Sequence, residues 1–75
     1  MDQSKYIDES EPDEARLRQS GVPVWALIEY LKAASGNKAL VAHDYDISID
    51  EVRAAIAYYE EHRQALDTRL LANIA

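Results

Sequence analysis

The sequence predicts an all-α fold: a small three-helix, helix-turn-helix-like domain with a long C-terminal helix and an acidic N-terminal arm. Three observations carry that prediction. Apolar residues from Val24 onward recur at helical spacings of three and four. Two segments begin on recognisable N-cap residues, Asn37 and Ser48. No stretch alternates apolar and polar with the period of a half-buried strand. The chain has 75 residues, of which 48% are apolar, with 8 Lys and Arg against 14 Asp and Glu for a net charge of −6. This is enough chain for one domain. A core that small barely offsets its own ordering entropy, and natural mini-domains add disulfides, a metal or self-association. There is no cysteine, which excludes disulfides and thiolate zinc sites and leaves association as the expectation.

The predicted organisation is an arm over 1–20, a helical domain over 21–62 and a helical extension over 63–75. The arm holds six acids (Asp2, Asp8, Glu9, Glu11, Asp13 and Glu14) and one base between Asp2 and Glu14, Lys5. Its apolar residues are few and aperiodic, so it reads as mobile, with an optional short helix over 13–18 and Tyr6 and Ile7 as local anchors. The first helix starts at Pro23, whose missing N–H is no loss at a first helical position. Val24, Leu27, Ile28 and Leu31 share its inner face, and Ala34 extends it. Trp25 and Tyr30 flank that stripe, and Gly36 suits the left-handed residue that ends a helix.

Asn37 caps a short second helix from Lys38 to about Asp44, around Ala39, Leu40 and Val41. A turn over Tyr45, Asp46 and Ile47 follows. Ser48-Ile49-Asp50-Glu51 then fits the S-x-x-E capping box, and Ile47 with Val52 supplies the hydrophobic staple. From there Val52, Ile56, Tyr59, Leu66 and Leu70 form one stripe, predicting a third helix that runs to about Ile74 or breaks near Asp67. Trp25, Ile28, Leu31, Val52, Ile56 and Tyr59 are the expected core or dimer residues.

Chemistry-bearing patterns are sparse. Asp44-x-Asp46-x-Ser48-x-Asp50 starts like a calcium loop, then fails at Ile49, where Gly is needed, and at Ala55, where a bidentate Glu belongs. His43 and His62 have no second His a helical turn away. Two glycines build no phosphate-binding loop, and Glu60 and Glu61, being adjacent, diverge by about 100° around a helix. No metal, cofactor or catalytic activity is expected. The longest apolar run, Val22 to Ile28, spans 7 residues, whereas a membrane helix needs about 20, so no membrane role is expected. A start without a basic-then-apolar leader and a lack of cysteine fit the cytoplasm.

Two surfaces remain. The helix-turn-helix outline invites operator DNA, with Lys38, Ser48 and Arg53 as contacts, although Asp50 and Glu51 occupy the turn that would face the bases. The tail is the other. Arg63 interrupts the apolar stripe, Arg69 follows, and Leu66, Leu70, Leu71 and Ile74 run past what a three-helix core covers. Leucines left exposed on a monomer anchor a partner or a dimer, so these six residues are the candidate partner-binding set.

The stretch Gly21-Val22-Pro23-Val24-Trp25 with Glu29-Tyr30-Leu31, and the block His43-Asp44-Tyr45-Asp46-Ile47-Ser48 with Asp50 through Tyr59, resemble the domain-of-unknown-function 433 family. The resemblance covers about 21–62. It implies a helix-turn-helix-like bacterial protein, often dimeric, that acts as the antitoxin beside a PIN-like ribonuclease toxin and binds its own operator. By that analogy the domain forms a homodimer or higher oligomer and an extended segment blocks the toxin. An acidic chain suits the basic groove of a ribonuclease, and a single Arg suits its carboxylate cluster; Arg63 and Arg69 are the candidates.

Overall fold

Apolar side chains at every third or fourth position leave a helix one face to bury, and four helices here bury theirs against one another. The structure, a computed structural model, describes residues 5–10 and 14–74, with side chains through residue 72. The fold is broadly all-α. Two short strands, β1 (Ile7–Asp8) and β2 (Arg16–Leu17), precede α1 (Val24–Ala33), α2 (Lys38–Tyr45), α3 (Ile49–Glu61) and α4 (Arg63–Ile74). Helices α1 and α3 each pack against the other three helices, and α3 also against β1.

The N-terminal segment departs from the mobile arm that its charge suggests. β1 and β2 pair antiparallel, with Ile7 opposite Leu17 and Asp8 opposite Arg16. Ile7, Ala15 and Leu17 are completely buried. A strand, not a helix, therefore occupies 16–17, and three buried apolar side chains decide it against the local excess of acid. The acids Asp2, Glu11 and Asp13 lie outside the described residues. Residues 18–21 close a tight loop in which the Leu17 N–H donates to the Val22 carbonyl at 2.8 Å and Gly21 takes φ +77°, a conformation that costs Gly least. The Val24 N–H then donates to the Ala15 carbonyl at 2.9 Å, tying the start of α1 to the strands.

Pro23 is the residue before α1, not its first member, with an extended ψ of 137°. Helices α1 and α2 end alike. The Gly36 N–H reaches the Leu31 carbonyl (2.9 Å) and the Ser35 N–H the Lys32 carbonyl (3.1 Å). The Ile47 N–H reaches Ala42 (3.0 Å) and the Asp46 N–H reaches His43 (3.2 Å). Both are Schellman closures. The residues that close them are Ser35 (φ 57°) and Asp46 (φ 55°), and Gly36 follows Ser35 at φ +80°, the positive φ expected of it just after α1. The Asn37 side chain caps α2 as predicted, accepting from the Leu40 N–H at 3.1 Å. The capping box at Ser48 is complete, with the Glu51 N–H to Ser48 Oγ at 3.1 Å and the Ser48 N–H to Glu51 Oε1 at 3.0 Å.

The expected single long helix is two. It breaks at His62, whose N–H closes α3 on the carbonyls of Tyr58 and Tyr59. α4 then folds back onto α1, with Leu66 completely buried and Leu70 nearly so. The buried face of α3 is also rotated from the stripe read off the sequence. Val52, Ala54, Ala55 and Tyr58 are completely buried, whereas Ile56 and Tyr59 are half-buried at the edge. Tyr58 ranks first by volume among the fully buried side chains. Leu66 and Leu70 are therefore core residues, correcting their assignment as exposed anchors: α4 supplies the layer that three helices alone would leave open.

Leu66→Ala should cost ~2–5 kcal/mol by leaving a cavity, a large share of a small domain's stability, and should lower the urea midpoint steeply. Leu71→Ala, at a site 68% exposed, should change it by no more than about 0.5 kcal/mol. Ser35→Gly should raise stability by roughly 0.5–1 kcal/mol by relieving the left-handed backbone.

Candidate functional site

The corner between α3 and α4 gathers charge and aromatic surface. His62 stacks on Tyr58, ring centroids 4.1 Å apart, and its Nδ1 lies 3.1 Å from the Tyr58 carbonyl. That fixes the end of α3. The Tyr59 ring carries the ammonium of Lys32 and the guanidinium of Arg63, each 5.3 Å from its centroid. The Tyr59 hydroxyl donates to Asp67 at 2.7 Å and accepts from Lys32 at 3.4 Å. One ring thus joins α1, α3 and α4. Arg63 is more than half exposed and pairs with Glu60. The hydrogen bond to that carboxylate raises the Arg63 pKa and keeps its charge fixed.

Arg69 has a different environment. Its guanidinium lies 4.9 Å from the Trp25 ring centroid, and its Nε is 3.4 Å from Glu14 Oε1. The Glu14 contact is a close charge pair, not an aligned hydrogen bond, since Arg69 Nε and Trp25 Nε1 are both buried without a hydrogen-bond partner. Arg69 clamps α4 to α1 and to the residue preceding Ala15. Of the other tail candidates, Leu71 alone among the described side chains is exposed; that of Ile74 lies outside them. Leu71 borders a groove of about 360 Å³ between α1 and α4, lined also by Glu29, Lys32, Asp67 and Leu70.

The nucleic-acid candidates fare unevenly. Lys38 is exposed at the start of α2. Arg53 is exposed but lies 3.7 Å from Asp50, one turn earlier. Ser48 is committed to the cap, its hydroxyl accepting from the Glu51 N–H and donating to Oε1 at 3.1 Å, so it is a structural residue. Among the expected core or dimer residues, Ile28 and Val52 are buried, while Trp25, Leu31, Ile56 and Tyr59 pack half-buried around them. Among the described residues no three metal-ligating side chains converge.

Sequence reading passed over the α1–α2 edge. Tyr30 donates its hydroxyl to Asp44 and meets Tyr45 edge-to-face at 5.3 Å. With Ala33, Ala34 and Leu40 it lines a second groove of about 290 Å³. The available signal was that Tyr30 falls off the apolar stripe of α1. Its pairing with a residue 14 positions away had none.

Comparison with protein-family models, curated proteins and solved structures finds no match for this chain.

The hydrogen bond from Tyr30, and secondarily the contact with His43, hold the Asp44 pKa below its ordinary 3.8. A depressed folded pKa means that ionised Asp44 stabilises the fold above pH 3.8, and that this contribution is lost as pH falls through the lower folded value. The urea midpoint of Asp44→Asn should therefore fall below that of the parent near neutrality, and the two should converge under strong acid.

Proposed function

We propose that the chain is the antitoxin of a bacterial type II toxin–antitoxin module. It is a non-catalytic, cytoplasmic protein that neutralises a PIN-like ribonuclease by direct binding and needs no cofactor. The observation that carries this reading is Arg63. Its guanidinium stands exposed at the α3–α4 corner, held over Tyr59 and beside Glu60, on a chain of net charge −6. A metal-dependent ribonuclease presents a basic groove for RNA around a cluster of carboxylates. An acidic surface complements the groove, and an arginine already held by its neighbours pairs with the carboxylates at little further ordering cost. The resemblance of 21–62 to the domain-of-unknown-function 433 family supports the same assignment. Arg69 serves the fold in this scheme, because Trp25 and Glu14 occupy it.

A second reading follows from α2 and α3. On that reading the short α2, the residues 46–48 and the capped α3 would serve as a helix-turn-helix-like pair. Operator DNA would meet Lys38 and Arg53, while the exposed Asp46 and Asp50 oppose phosphate.

Co-expression with the neighbouring gene, followed by size-exclusion chromatography, should yield a stable complex with a small nuclease. Arg63→Ala should relieve inhibition of that nuclease at least tenfold while leaving the melting temperature unchanged. Arg69→Ala should lower the melting temperature. If inhibition is unchanged in Arg63→Ala, the site is wrong; if no nuclease is bound, so is the function. A gel shift with the chain's own upstream DNA at about 50 mM salt tests the second reading, and no shift there would sink it for the free protein.

A further inference from the structure

We propose that the α1–α2 edge is a binding site for a guanidinium cation, built from Tyr30, Tyr45 and Asp44 with Glu29 beside them. The face of an aromatic ring attracts cations, and this chain meets that attraction internally almost everywhere. Lys5 lies 5.6 Å from the Tyr6 ring centroid, Lys32 and Arg63 share Tyr59, Arg69 lies on Trp25, and His62 stacks on Tyr58. Of the five tyrosines and one tryptophan, only Tyr30 and Tyr45 have no such partner among the described residues; they meet each other instead. Yet these two rings stand beside carboxylates. Tyr30 donates its hydroxyl to Asp44. Burial, and after it the charge of Glu29, raises the Tyr45 pKa, so the Glu29 carboxylate acts on the second ring. Glu29 itself makes no ion pair among the described residues.

The adjoining groove selects the kind of cation. It holds about 290 Å³ and is lined by Tyr30, Ala33, Ala34 and Leu40. The alanine and leucine side chains there accept no hydrogen bonds, so a compact, strongly hydrated ammonium would give up water for little return. A guanidinium is planar and weakly hydrated, it stacks on aromatic faces, and its alkyl stem suits apolar walls. Asp44 supplies the acceptor. One of its oxygens takes the Tyr30 hydroxyl; the other lies 3.4 Å from Nδ1 of His43, a side chain 87% exposed and so readily displaced. A guanidinium on the Tyr30 ring lies next to that carboxylate and can bond it. The net charge of −6 draws cations to the chain. Tyr30 is already held by Asp44 and Tyr45, so binding orders little further. An arginine of a partner chain and a free guanidino compound share this chemistry. The inference is independent of the ribonuclease reading, which rests on Arg63.

The full chain can be titrated with N-acetylarginine methylamide, an arginine blocked as it is within a protein. The ring signals of Tyr30 and Tyr45 in NMR spectra should shift, with a Kd on the order of 1–10 mM. The indole signal of Trp25, which already carries Arg69, should stay still. The citrulline counterpart, a neutral urea of the same shape, should bind at least tenfold more weakly. Tyr30→Leu should abolish binding, and Tyr30→Phe, which keeps the ring, should retain it. Glu29→Gln breaks no ion pair, so it should leave the melting temperature unchanged while weakening binding about twofold or more. Free arginine separates the two sources. Binding weaker than that of the blocked form assigns the site to an arginine within a chain, and equal or tighter binding assigns it to a free guanidino compound; both keep the guanidinium site. No shift at either tyrosine up to about 50 mM overturns the proposal. So does equal binding of the citrulline counterpart, or an affinity indifferent to both Tyr30→Leu and Glu29→Gln.

Discussion

Leu66 sits completely buried in a helix that packs on α1 once α3 has ended at His62. The first three helices leave one side of α1 uncovered, and a domain of this size has no apolar surface to spare. Folding α4 back onto α1 closes that side, and the turn at His62 is what allows it. No Gly or Pro marks the site. The His62 N–H still makes the ordinary helical bond to the Tyr58 carbonyl and shares itself with that of Tyr59, while its ring stacks on Tyr58, so the break is held by the side chain as well as the backbone. Leu66 and Leu70, which as part of a straight helix would face water, become core, and Leu71 stays exposed.

The N-terminal residues complete the same core from the other end. Ile7, Ala15 and Leu17 bring apolar surface that the acidic segment around them conceals in any running average. Their strand pair is only two residues long on each side, too short to stand alone. It is held by packing and by the backbone link from Val24 to Ala15. Arg69, between Trp25 and Glu14, then ties α4, α1 and this segment at one point. An arginine laid on an indole contributes through both its charge and its apolar stem.

What remains outward-facing is unevenly charged. Arg16 is turned to the Gly21 carbonyl, Arg53 to Asp50 and Arg69 inward. Arg63 and Lys32 share one tyrosine and keep their charge at the surface. The hydroxyl bond from Tyr59 to Asp67 fixes that ring across three helices.

The sequence by itself determined whatever is local. The caps at Asn37 and Ser48, the inner stripe of α1 and the overall helical character depend on residues within about one turn of each other, where side-chain spacing and backbone hydrogen bonds leave little choice. It also marked Arg63 as a residue out of place in an apolar row. The tertiary structure alone decided the rest, because those outcomes depend on contacts distant in the chain. The break at His62 follows from what α4 gains against α1, the rotation of the α3 face toward Tyr58 from what packs on it, and the strand at Arg16–Leu17 from burial that overrides an acidic neighbourhood. The roles of Arg63 and Arg69 could not be separated from their positions six residues apart: one meets Trp25 and Glu14 and the other meets water, which only the path of α4 determines.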